Sequence, residues 1–215
     1  MRLPAFAFAL LLATASANAQ PATAPAREQA LEKIEKGDAE TRRAAAATLG
    51  DVGTMADAPV LIRALRDPDE GVRAVAEGAL WQVWSRSGDP GIDALFHQGV
   101  EQMSRGDANA AIQTFSVIIQ KKPDFAEGWN KRATIYYLIG EYDKSLKDCD
   151  EVVKLNPQHW GVLAGYGQIY VALDKPELAL QYFQRALQIN PNLRSVEAAV
   201  EQLKQVIIEK RKGTI

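Results

Sequence analysis

The chain has 215 residues, of which 47% are hydrophobic and 24% are charged, and its formal net charge is -2. This is the composition of a globular protein with room for one long domain or two small ones. Acidic and basic residues are interspersed, and the basic cluster Lys210-Arg211-Lys212 stands at a helix end at the C-terminus. Without a basic stripe to displace counterions, we expect no nucleic acid partner.

The N-terminus has the pattern of a secretory signal. Arg2 precedes the apolar run Leu3 to Ala13, and small residues follow up to an Ala17-x-Ala19 site. This run is too short to span a bilayer, which needs about 20 apolar residues. We therefore predict a signal peptide at 1–19, cleavage after Ala19, export to the periplasm and no membrane insertion afterwards. A Pro/Ala-rich lead-in is predicted at 20–36.

From Arg27 onward apolar residues recur every three or four positions, which indicates helices throughout. Three prolines, Pro123, Pro157 and Pro191, are spaced 34 residues apart and mark an internal repeat. Alignment on these prolines brings small residues together at two places and larger apolar residues at a third. Small residues let two antiparallel helices approach closely, and proline ends the second helix. The aligned sets are Gly99, Ala133, Gly167; Ala111, Ser145, Ala179; and Phe115, Cys149, Phe183.

The stretch AEGWNKRATIYYLIGEYDKSLKDCDEVVKLNP resembles a tetratricopeptide repeat (TPR), with Trp129, Ala133, Tyr136, Gly140 and Pro157 in the expected places. The resemblance implies three helix pairs, repeats 1 to 3, at 92–125, 126–159 and 160–193. We expect Trp129 and Tyr136 to pack between helices, and Arg132 beside them to pair with an acidic residue. An amphipathic helix at 194–212 would cap the open end of the stack, with one apolar face formed by Val196, Val200, Leu203 and Ile207.

Upstream, GDAETRRAAAATLG and PDEGVRAVAEGALW align with a period of 31 residues. The stretch APVLIRALRDPDEGVRAVAEGAL resembles a HEAT repeat of the short bacterial type, so one full and one partial HEAT-like repeat are predicted at 37–88. Asp67 or Asp69 is expected to pair with Arg73 across the turn. The predicted fold class is thus all-α, an α-solenoid of helix-turn-helix repeats.

The stretch HWGVLAGYGQIY has three glycines, Gly161, Gly165 and Gly167, which raises the question of a phosphate-binding loop. Such a loop needs its glycines between a strand and a helix, whereas these lie inside a predicted helix. Gly167 falls on the close-packing place. Gly165 is predicted to face the groove of the array, as drift on a tolerant face or as a place where a bound peptide approaches the backbone.

Catalytic residues are not evident in the sequence. His97 and His159 lie far apart, and no ligand spacing predicts a metal. Cys149 is assigned by the repeat to the packed layer between helices, where a thiol is inert. We therefore predict no catalytic, metal or cofactor site and no enzymatic activity.

Binding is expected on the first helix of each repeat, at positions turned away from the packing face. Apolar and aromatic groups there favour an extended or helical peptide as ligand. The carboxylate clamp known in the family is absent, because its places hold Phe96, Val100, Lys131, Gly161 and Gly165. The predicted groove residues are Phe96, Val100, Asn130, Lys131, Thr134, Tyr137, Leu138, Gly165 and Gln168.

Two functions follow from this pattern. The first is an exported, non-enzymatic adaptor that binds a peptide or protein segment in the groove, with Tyr137 as a main contact. The alternative is a structural component of a cell-envelope assembly, with contacts on the HEAT face and the C-terminal helix. The sequence determines neither the partner nor the oligomeric state.

Overall fold

The computed structural model describes residues 24–212, and every regular element in that range is helical. The predicted all-α fold is therefore confirmed. The chain divides into two compact parts, an N-terminal unit of residues 1–83 and a C-terminal unit of residues 84–215. The predicted signal peptide, 1–19, lies outside the described residues.

The N-terminal unit contains four helices and a short 3-10 turn at Met55–Asp57. Residues 20–36 were expected to form a lead-in, but the chain is helical from Ala24. Ala30 and Ile34 stand four residues apart and are buried, and their helix packs along the next one. This helix completes the HEAT-like repeat that the sequence predicted as partial. The helices are α1 (Ala24–Lys36), α2 (Ala39–Val52), α3 (Ala58–Ala64) and α4 (Glu70–Trp84).

The two HEAT-like segments begin their second helices in the same way. Asp38 accepts a hydrogen bond from the Thr41 amide at 2.8 Å, and Asp69 accepts one from the Val72 amide at 2.9 Å. These caps satisfy backbone donors that a helix leaves open in its first turn. The 31-residue period predicted this equivalence.

The arginines of these segments are arranged differently from the prediction. The Asp67 carboxylate binds Arg42 of the preceding segment through two contacts of 2.6 and 2.7 Å. Arg73 donates to the backbone carbonyls of Asp67 and Pro68 at 2.9 and 3.2 Å. A neighbouring repeat thus supplies the partner for the Asp67 carboxylate, a contact that the local motif did not reveal.

The C-terminal unit consists of three helix pairs and a final helix. The pairs are α5–α6, α7–α8 and α9–α10, and α11 packs on α10. Along the stack, α7 contacts both α5 and α9, so the first helices of the three repeats lie side by side. The helices are α5 (Pro90–Ser104), α6 (Ala108–Lys121), α7 (Ala126–Leu138), α8 (Tyr142–Leu155), α9 (Trp160–Ala172), α10 (Pro176–Ile189) and α11 (Arg194–Lys212).

Close packing within each pair depends on the small residues that the repeat aligned. A Cβ added at Gly99 would lie 2.7 Å from Cζ of Phe115, and one at Gly167 would lie 2.4 Å from Cε1 of Phe183. The equivalent Ala133 is 2% exposed. The predicted close approach of the helices at this place is confirmed.

Candidate functional site

The predicted groove residues differ widely in exposure. Leu138 is 66% exposed, and Val100, Lys131, Tyr137 and Gln168 are half-buried. The remaining four, Phe96, Asn130, Thr134 and Gly165, are buried.

Phe96 is a core residue, so the expectation that it is exposed is wrong. It makes edge-to-face contacts with Phe115 and Phe125, with ring centroids 5.9 and 5.5 Å apart. Helical spacing alone did not show that α5 also packs against the loop before α7, which carries Phe125. On its own helix Phe96 therefore faces neighbours on more than one side.

Asn130 and Thr134 are buried because they belong to polar contacts within α7. Asn130 donates its amide to both oxygens of Glu127 at 3.1 Å. The Thr134 hydroxyl donates to the Asn130 carbonyl at 2.9 Å. Neither side chain is exposed as the sequence led us to expect.

The centre of this polar group is Glu127, in the first turn of α7. Its side chain is 0% exposed, and its Oε1 lies 2.5 Å from Nε2 of His159, which is also 0% exposed. Nδ1 of His159 accepts the Val162 amide at 3.1 Å, which caps α9. A ring that accepts at Nδ1 and donates at Nε2 is the neutral tautomer, so His159 connects the start of α9 to α7.

Glu127 remains ionised in this buried position. Complete burial raises its pKa, but the Lys131 ammonium, 3.5 Å from Oε2, and the contacts with His159 and Asn130 lower it further, to about 2. A buried charge is tolerated when it is paired and hydrogen-bonded. The predicted groove position Lys131 is therefore already engaged by a carboxylate of its own helix.

An aromatic residue from outside the repeats covers this polar group. Trp84, the last residue of α4, is 3% exposed. Its ring stacks on His159 with centroids 4.5 Å apart and an interplanar angle of 24°, and it lies 4.4 Å from the ring of Trp160. The sequence gave no signal for this contact, because Trp84 precedes the repeat pattern and lies far from His159 in the chain.

The later part of the same helix surface is more open. Lys131 and Leu138 lie seven residues apart on α7, hence on one face, and Tyr137 is half-buried beside them. The Tyr137 ring lies 6.0 Å from that of Tyr142, and burial raises its pKa. The predicted groove therefore has a filled half near the helix starts and an open half around Leu138.

Away from this surface, Arg132 pairs with an acidic residue as predicted. Its guanidinium makes two contacts of 2.8 Å with the Asp148 carboxylate. The rings of Trp129 and Tyr136 flank it, with centroids 5.3 and 5.8 Å away. This arrangement ties α7 to α8, and it accounts for all three residues without a ligand.

Cys149 is 3% exposed, and burial raises the pKa of its thiol to about 12. The thiol is therefore held in its unreactive form, in the packed layer that the sequence predicted. Within residues 24–212, no group of three or more His, Cys, Asp or Glu side chains is arranged to hold a metal ion. No helix in that range is long and apolar enough to cross a membrane.

Comparisons with protein-family models give two matches. The tetratricopeptide repeat model matches residues 126–159 and 167–193. The HEAT repeat model matches residues 7–81, so its match begins inside the segment predicted as a signal peptide. Both predicted repeat types are thereby found in the chain.

Solved TPR structures share the helical arrangement. The first TPR of Spaghetti (RPAP3), solved with an HSP90 peptide, has a TM-score of 0.53 and 21% identity, covering 54% of this chain and 93% of that one. The Sgt2 TPR domain from Aspergillus fumigatus has a TM-score of 0.55 and 19% identity, covering 59% and 85%. These similarities establish the solenoid fold.

Curated relatives extend the similarity beyond the repeats themselves. Tetratricopeptide repeat protein 12 of Mus musculus is 31% identical over 119 residues, but this chain spans only 17% of its length. A TPR repeat-containing protein of Rhizobium etli is 32% identical over 146 residues, which cover 68% of this chain and 71% of the relative. With this coverage, the chain belongs to the tetratricopeptide repeat family.

Proposed function

We propose that this protein is a non-enzymatic adaptor that binds a segment of another protein on the first helices of its TPR repeats. The observation that carries the proposal is Leu138, a large apolar side chain left 66% exposed on α7. Exposed apolar groups on a repeat array favour a peptide ligand, and TPR1 of RPAP3 was solved with such a peptide. Without the carboxylate clamp, we expect an internal apolar segment as ligand in place of an acidic C-terminus.

The binding surface is tested by in-cell photo-crosslinking from position 138, followed by mass spectrometry. We expect one dominant protein partner, and the substitution pair Tyr137→Ala and Leu138→Ala should abolish most of its binding. Leu178→Ala is the matched control, because Leu178 is 36% exposed on α10, the second helix of its repeat. Undiminished binding in the double variant would rule out the open half of the groove.

The alternative proposal is a scaffold that makes its contacts through the N-terminal unit and α11. A cavity of about 390 Å³ between α1 and α2, lined in part by Ala30, Thr41 and Ala45, favours it. Crosslinkers at exposed positions 44 and 63 separate the two proposals. A strong crosslink from either, with none from 138, would assign the function to the scaffold.

Export is a third part of the proposal, and the sequence pattern at 1–19 supports it. We expect the protein from the periplasmic fraction to have a mass that begins at Gln20. Replacing Ala17 and Ala19 by leucine should block cleavage, because the site requires small residues. A full-length chain found only in the cytosolic fraction would refute export and leave the binding proposal intact.

A further inference from the structure

We propose that Trp84 is an internal occupant of the groove, and that a partner reaches the filled half only when Trp84 leaves. This inference rests on the proposed function, because it describes how binding to the same helices is regulated. Trp84 lies on His159 and Trp160 at the start of α9, with ring centroids 4.5 and 4.4 Å away. Only 3% of the side chain is exposed.

The surface beneath Trp84 has the character of a binding site. Glu127 and His159 are both 0% exposed and 2.5 Å apart, and Asn130 and Lys131 complete the group. Apolar residues of similar volume often stabilise a core as well as a buried ion pair does, or better. A charged and hydrogen-bonded floor beneath a single aromatic ring is better suited to receiving a polar segment once the ring is displaced.

Gly165 on α9 is a second observation at the same surface. A glycine inside a helix costs about 1 kcal/mol relative to alanine, and Gly165 is buried. Its place in the repeat faces the groove rather than the paired helix. A missing side chain there gives a bound segment close access to the α9 backbone.

The chain around Trp84 permits this movement. Trp84 is the last residue of α4, and α5 begins at Pro90. Between them Gly88 has a φ of +78°, a conformation that glycine adopts without strain. The connection is closed by the Ser87 amide, which donates to Asp93 at 2.8 Å. A change in a few backbone dihedrals of this segment would lift the ring from the floor.

In energetic terms, Trp84 and the partner compete for one surface. The apparent affinity of the partner is reduced by the fraction of molecules in which the surface is open. Removing the indole should therefore strengthen binding, whereas removal of an ordinary core residue weakens it through misfolding. Phenylalanine at position 84 keeps an aromatic ring over His159 and should keep the surface closed.

The test compares wild-type protein with Trp84→Ala and Trp84→Phe by photo-crosslinking in cells from position 164, half-buried on α9, and from position 138. We expect Trp84→Ala to raise the partner yield from position 164 severalfold, with Trp84→Phe close to wild type. Equal yields from position 164 in all three proteins would overturn the inference. Failure of the proposed function is a different result, namely no partner from position 138 in any of them.

Thermal unfolding tests the inference without a partner. Trp160 is the matched control, since it is 2% exposed and touches Trp84. We expect Trp84→Ala to lower the melting temperature by less than half the decrease caused by Trp160→Ala, because the repeats fold beneath a removable ring. An equal loss in the two variants would make Trp84 an ordinary core residue and overturn the proposal.

Discussion

Gly167 lies where α9 and α10 approach most closely, because a Cβ there would be 2.4 Å from the Phe183 ring. Gly167→Ala should lower the free energy of unfolding by about 1–3 kcal/mol, the usual cost of overpacking. Gly78→Ala is the control, since Gly78 is also helical but has no atom within 4 Å of the added Cβ. That variant should gain about 0.5–1 kcal/mol. Urea unfolding followed by circular dichroism distinguishes the two directions.

The ionised Glu127 predicts an acid-dependent loss of stability. Its pKa is about 2 in the folded chain, compared with about 4.3 for an exposed glutamate. Its contribution is therefore fully present above about pH 4.3 and is lost as the pH falls towards 2. Glu127→Gln should lower the free energy of unfolding at pH 7 by on the order of 3 kcal/mol.

The difference between Glu127→Gln and wild type should become smaller at pH 3 than at pH 7, as measured by urea unfolding at both values. Glu141→Gln provides the control, because the Glu141 side chain is 50% exposed. That variant should follow the wild type at either pH. A constant deficit for Glu127→Gln at both values would mean that the carboxylate is not the source of the stability.

At the scale of single residues, the repeat register predicted what lies between paired helices and failed on the opposite side. Gly167, Cys149 and the pairing of Arg132 depend on contacts that recur in every TPR helix pair, so alignment found them. Phe96 and Trp84 are buried by groups that lie outside the repeat pattern. A 34-residue period has no information about such contacts.

The turns inside the three TPR repeats share one backbone conformation. Gly106, Gly140 and Asp174 are spaced 34 residues apart and have φ values of +77°, +80° and +53°. Gly140→Ala should cost about 1–2 kcal/mol, the strain of a left-handed L-residue. Gly140→Asn should cost less, because asparagine visits this region more readily, as Asp174 already does in repeat 3.

The comparison at Gly140 isolates backbone strain from crowding, since no atom lies within 4 Å of a Cβ built there. Thermal melting curves of the two variants and wild type provide the measurement. If alanine and asparagine destabilise the chain equally, the left-handed conformation is not what glycine supplies at this turn.

At the scale of helices, the sequence predicted the all-α fold and the two repeat types, but it predicted a lead-in where α1 begins. α1 buries only Ala30 and Ile34, too few positions for the apolar period to stand out. The same limit applies to Asp67, whose carboxylate binds Arg42 of the neighbouring segment. Contacts between successive repeats must be read from the structure.

At the scale of the whole molecule, stacked repeats are stabilised by their neighbours, so the last one needs a cap. α11 provides it, with Val196, Val200, Leu203 and Ile207 buried at 9% exposure or less. Leu203→Asp should therefore destabilise the entire C-terminal unit, by about 3 kcal/mol or more, because a charge would be buried without a partner. Ile208→Asp is the matched control, since Ile208 is 44% exposed on the same helix.

Hydrogen exchange resolved by peptide is the measurement that shows how far the loss extends. In a one-dimensional stack, weakening α11 removes the neighbour of α10 first, and each repeat then depends on the next. Leu203→Asp should therefore increase exchange most in α9 and α10 and least in α5 and α6, while Ile208→Asp leaves the pattern of the wild type. A uniform increase across all three repeats would instead show that the C-terminal unit unfolds as one cooperative body.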